Sequence, residues 1–86
     1  MSRRHKLLRR FLARPANFRF DEMSHLLKGF GYEEFRPGKT AGSRVAFINK
    51  ASGQIIRLHK PHPGNMMKRY QLELVEESLR AKGLIE

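Results

Sequence analysis

Ser43-Arg44-Val45-Ala46-Phe47-Ile48-Asn49, then Lys50-Ala51-Ser52-Gly53, then Gln54-Ile55-Ile56-Arg57-Leu58-His59: this stretch decides the fold. Two runs rich in β-branched and aromatic residues flank a turn around Ala51-Ser52-Gly53, which predicts two paired strands, Ser43–Asn49 and Gln54–His59. Side chains alternate across a strand. Val45 and Phe47 therefore share one face of the first run, and Ile56 and Leu58 one face of the second. These form the expected core face. The opposite face then presents Arg44, Arg57 and His59.

Working outward, Tyr32–Arg36 reads as a preceding strand with less regular alternation, and Pro37–Gly42 as a loop. Before it, Phe20, Met23, Leu26, Leu27 and Phe30 recur at helical spacing. Asp21 and Glu22 suit the positive end of that helix, and Gly31 is a natural residue just past its C-terminus. Residues 4–13 predict a short first helix, ended before Pro15, with Leu7, Leu8, Phe11 and Leu12 as its apolar stripe. Pro15-Ala16-Asn17 is a connector. Downstream, Asn65 is read as the cap of a third helix over about residues 66–82. Met67, Tyr70, Leu72, Leu74, Val75 and Leu79 form its apolar stripe, and Lys82-Gly83 ends it. Leu84 and Ile85 are expected to fold back on the core. The order is one helix, then α-β-β-β-α. It predicts an α+β fold in which a three-stranded antiparallel sheet packs against two helices, with an extra basic helix and connector at 1–17 ahead of a domain at 18–86.

Composition narrows the function. Eighty-six residues make one small domain with a modest core and no deep substrate pocket. There is no cysteine, hence no disulfide and no thiolate chemistry. That fits a reducing compartment, and a cytoplasmic location is expected. No apolar run is long enough to span a membrane, so no membrane partner is expected. Eighteen Lys and Arg stand against eight Asp and Glu, a formal net charge of +10. Arg3, Arg4, Lys6, Arg9, Arg10, Arg14 and Arg19 lie in an acid-free opening segment. Charge of this kind attracts polyanions. The opening segment also resembles a transit peptide in being Arg-rich and amphipathic, but its apolar stripe favours a helix packed on the domain.

The segment Leu58-His59-Lys60-Pro61-His62-Pro63-Gly64 carries the candidate chemistry. Imidazoles titrate near neutrality and move protons, so His59 and His62 are the candidate acid and base for RNA cleavage. Such cleavage also needs a cation for the charged phosphorane. Arg44, Arg57 or Lys60 would supply it, while Ser43, Lys39, Arg9 and Arg10 join them as candidate phosphate contacts. The competing reading is that both imidazoles only satisfy local hydrogen bonds. Two His without Cys or a nearby carboxylate make an incomplete metal site, and neither a metal nor a small-molecule cofactor is expected. Gly38-Lys39-Thr40 imitates the end of a phosphate-binding P-loop. The full motif needs a Gly where Glu33 stands and a helix where a strand is predicted, so it is rejected. His25, between apolar positions, reads as structural.

The succession of a helix, Gly31-Tyr32-Glu33-Glu34, a loop, Gly42-Ser43-Arg44-Val45-Ala46-Phe47, a strand, Pro61-His62-Pro63-Gly64 and a helix resembles the HicA toxins of bacterial toxin–antitoxin systems over about residues 20–82. The resemblance implies a double-stranded-RNA-binding-like fold. It implies a ribosome-independent mRNA interferase neutralised by a HicB-type antitoxin. Typical members carry Gly-Ser-His at the start of the second strand, and that His is the presumed catalyst. Here the position is Arg44. His62 and Gly64 match the family's later His-containing segment, and His59 is an addition. The chain therefore uses His59 or His62 in chemistry, or binds nucleic acid without cutting it. A basic module that docks an acidic protein is a third reading.

Overall fold

The computed structural model describes residues 3–36, 44–61 and 64–85. Six elements follow in order: α1 (Arg3–Leu12), α2 (Phe20–Gly29), β1 (Tyr32–Phe35), β2 (Arg44–Asn49), β3 (Ile55–His59) and α3 (Arg69–Ala81). The strands form one antiparallel meander in the order β1-β2-β3. The result is an α+β fold with an open three-stranded sheet and three helices. Among the described residues, no helix is long and apolar enough to cross a membrane.

Asn49 builds the hairpin between β2 and β3. Its Oδ1 accepts from the backbone N–H groups of Ala51 and Ser52, at 3.0 and 3.2 Å, an Asx-type turn. Gly53, at φ +76°, completes the reversal. Asn49 Nδ2 reaches back to the Phe30 carbonyl and ties the hairpin to the end of α2. The register that follows places Val45 opposite Leu58 and Phe47 opposite Ile56. All four are buried. The predicted core face of both strands is the observed one.

Both helices of the β-β-β unit pack on that face. Met23, Leu26 and Leu27 of α2 and Leu72, Val75 and Leu79 of α3 join the strands in one apolar cluster. Full burial of each such side chain contributes roughly 1.5–3 kcal/mol, so the cluster outweighs any ion pair at the rim. α1 belongs to the same cluster. Phe11 is fully buried and lies 5.7 Å from Phe18, centroid to centroid. Leu7 and Leu8 are half-buried against the core, while Leu12, expected in the stripe, is exposed. Leu84 and Ile85 fold back on the core, held by the Leu84 N–H to Leu79 carbonyl bond at 2.9 Å.

The start of α3 departs from expectation. Asn65 does not cap it. Residues 65–67 are instead paired with the strand-like entry to α2. The Phe20 N–H donates to the Asn65 carbonyl at 2.8 Å, and the Met67 N–H to the Phe18 carbonyl at 2.7 Å. This bridge of Arg19 with Met66 draws the segment out of helical conformation. The helix begins at Arg69, where Gln71 Oε1 accepts the Lys68 N–H at 2.9 Å. The apolar side chains that the shorter helix buries are Leu72, Val75 and Leu79, beside the buried Gln71 and Glu76. Tyr70 and Leu74, expected in the stripe, turn outward at 62 % and 44 % exposure.

Candidate nucleic-acid interface

The helices cover one face of the sheet and leave the other open. Strand alternation and register assign that open face. β1 contributes Glu33 and Phe35, β2 contributes Arg44, Ala46 and Ile48, and β3 contributes Ile55, Arg57 and His59. Three rows run across it. One is Glu33–Ile48–Ile55, the next Phe35–Ala46–Arg57, and the last ends in Arg44 opposite His59.

Arg44, Arg57 and His59 therefore share one corner. Directly opposed side chains have Cβ atoms about 4.5–5.5 Å apart, and diagonal neighbours remain within reach of long side chains. Together with Val45, Ala46 and Leu58, these three line a concavity of about 220 Å³. Ligand pockets for larger molecules run to ~300–1,000 Å³, so the concavity is small for a bulky cofactor. Among the described residues, no carboxylate stands within ion-pair distance of Arg44 or Arg57. Among the described residues the one acid on this face, Glu33, is at the far end and is paired with Lys50 at 3.3 Å. The His59 carbonyl accepts from Gln71 Nε2 at 2.9 Å, which fixes the end of β3 against α3.

The other candidates are distributed differently. Lys60 is half-buried and lies over the Phe20 ring, 5.8 Å from its centroid. That contact is with the helix layer. Arg9 is exposed on α1. Arg10 is engaged on the same helix. Its Nε meets Glu22 Oε2 at 2.8 Å, and Nη2 reaches the Asn17 carbonyl at 2.9 Å. The other oxygen of Glu22 accepts the Arg19 N–H at the start of α2. The hydrogen bond from Arg10 holds the Glu22 carboxyl below its ordinary pKa despite partial burial, and the carboxylate in turn raises that of Arg10. Ser43, Lys39 and His62 lie outside the described residues. So does the Gly38-Lys39-Thr40 segment, although the element after it is the strand β2. His25, expected to be structural, is exposed beside a groove of about 480 Å³ between α1 and α2. Among the described residues, no group of three potential metal ligands stands together.

Two open-face residues escape a reading centred on charge: Phe35, 54 % exposed, and Ile55, 43 % exposed. The signal for Phe35 was present in the alternation of Tyr32-Glu33-Glu34-Phe35, which sets it on the side away from the buried Tyr32.

No protein-family model, no curated protein and no solved structure matches the chain.

Proposed function

We propose that this chain acts on RNA through the open face of its sheet, as a HicA-like toxin that cleaves mRNA and is neutralised by a HicB-type antitoxin. The observation that carries the reading is the corner itself: two guanidiniums and an imidazole from adjacent strands around one small concavity, with no carboxylate among the described residues to neutralise them. The α-β-β-β-α order, with both helices on one sheet face, supports a double-stranded-RNA-binding-like fold.

The chemistry follows from the groups. A base takes the proton from a ribose 2′-hydroxyl, the oxygen attacks the adjacent phosphorus, and the bond from phosphorus to the 5′-oxygen breaks as an acid protonates that oxygen. Arg44 and Arg57 hold the phosphate and stabilise the charge that builds on it. His59 and His62 are the proposed proton-transfer pair.

The test is cleavage of a long unstructured RNA by purified protein, beside His59→Ala and His62→Ala preparations made identically. Cutting by the wild type that disappears in one variant and spares a 2′-deoxy strand is the expected result. Cutting that persists in both variants removes these imidazoles from the mechanism. A second reading, a non-catalytic RNA-binding module, is favoured by one observation: the described residues bring a single imidazole to the open face. Binding without cutting by any preparation would select it.

A further inference from the structure

We infer that the open face is built for single-stranded RNA, with Phe35 as a platform on which one base stacks while Arg57 and Arg44 hold the neighbouring phosphates. The inference rests on the RNA-binding reading above and specifies its substrate. Four observations lead to it.

The first is the exposure of Phe35. More than half of a phenylalanine is open to water at the end of a strand that is paired in register with its neighbour. The second is what stands beside it. Phe35 is opposite Ala46, and Ala46 is opposite Arg57. The small side chain between them leaves room above the sheet, and the backbones of Phe35 and Arg57 stand two strand spacings apart, roughly 10 Å. An aromatic surface and a phosphate anchor are thus set side by side across the sheet. The third is the apolar floor. Ile55 is exposed and Ile48 half-buried in the adjacent row, so the face offers more than charge. The fourth is the segregation of charge. Glu33 is neutralised by Lys50 at the far end, and the corner near Phe35 is cationic.

A duplex would waste this arrangement. Its bases are already stacked on one another, and it offers phosphates, hydroxyls and base edges. Phe35 and Ile55 would find nothing in it to cover them. Unpaired bases present their faces, stack on aromatic side chains and leave their phosphates to basic groups alongside. A protein partner would satisfy the apolar residues. It would not account for the two arginines and the imidazole gathered with no acid among them unless it were strongly acidic, and the test below includes that outcome.

The chain contains no tryptophan, so Phe35→Trp introduces a single fluorescent reporter at the proposed platform. The probe is a 2′-O-methyl oligouridine of about ten nucleotides, which stacks normally and lacks the hydroxyl needed for cleavage. A blunt duplex of the same strand with 2′-O-methyl oligoadenosine serves for comparison. Affinities are measured by anisotropy at low salt for the wild type, Phe35→Ala, Phe35→Trp and Arg57→Ala, each checked for native circular dichroism. The expected result is a preference for the single strand. Phe35→Ala weakens single-strand binding by between about fivefold and a hundredfold. Phe35→Trp keeps the affinity, with its emission quenched at saturation. Equal single-strand affinity for wild type and Phe35→Ala overturns the inference, as does tighter binding of the duplex. If Arg57→Ala weakens binding in that case, the basic corner stands as an RNA site and only the stacking platform falls. Should the wild type bind neither probe and instead capture an acidic peptide, both the inference and the RNA-binding reading fall.

Discussion

Two groups of arginines in this molecule behave in opposite ways. Along α1 and its connector, Arg10 closes on Glu22 and Asn17, and Arg14 meets Glu76 at 3.1 Å. Glu76 is buried and also holds Arg80 at 3.0 Å. At the sheet corner, Arg44 and Arg57 face no acid among the described residues. Density of positive charge along the chain is therefore a poor guide to where a polyanion would bind. Within the most basic segment, Arg10 and Arg14 are tied into the scaffold. The sparser pair on the strands is open, because register, rather than sequence proximity, brings it together.

The sharpest way to break this contrast is at Phe11. If α1 were a free basic arm, replacing its buried ring would cost little. If α1 is part of the core, Phe11→Ala leaves a cavity among Phe18 and its neighbours and costs about 3–5 kcal/mol. Domains of this kind have only ~5–15 kcal/mol in total, so the loss is a large share. Urea denaturation measures it. A loss under about 1 kcal/mol would return α1 to the status of an appendage.

The next contrast is functional. Arg44→Ala and Arg57→Ala are each expected to lower RNA affinity severalfold. Each should flatten the dependence of log affinity on log salt by about 0.7 for every single-strand phosphate left without its cation. Arg10→Ala should leave both affinity and slope near the wild-type values, because its guanidinium is already occupied. An Arg10 variant that loses as much affinity as the strand variants would erase the distinction between the two groups.

How far this was legible in the sequence follows from the range of the interactions concerned. The hairpin was readable because alternation and the turn at Ala51-Ser52-Gly53 are local, and with them came Val45, Phe47, Ile56 and Leu58 on one face and Arg44, Arg57 and His59 on the other. The helices were readable from periodicity for the same reason. The start of α3 was not, because Asn65 is claimed by a backbone bond to Phe20, far away in the chain. Nor was the closure of Arg10, since nothing in the order of residues says which arginine meets Glu22 across the connector. Lys60 reads as one more cation beside the imidazoles, yet the alternation of β3 carries it to Phe20 on the other side. Charge is written in the sequence. Its availability is set by tertiary contacts.

The smallest effect separates the two groups by the kind of perturbation each feels. Closed pairs answer to pH and open ones to salt. Arg10 holds the Glu22 carboxyl below its ordinary value of 4.5. The Glu34 carboxyl is also below that value: burial pushes it up, but the Ser24 hydroxyl and Arg36 outweigh the burial. A carboxyl depressed in the folded state stabilises the fold fully above its unfolded pKa, and that contribution is lost as pH falls through the folded value. Stability should therefore decline from about pH 4.5 downward. Glu22→Gln removes one of the two contributors, so it should lower stability modestly at neutral pH and flatten the acid limb without abolishing it. The effect is modest because the Arg10 side of the pair is open to solvent. Urea midpoints across this range for wild type and Glu22→Gln provide the measurement. Parallel curves would mean that the Arg10–Glu22 contact contributes nothing to folding. Arg10 would then be as available to a polyanion as Arg57, and the salt experiment above would have to be read with three open arginines instead of two.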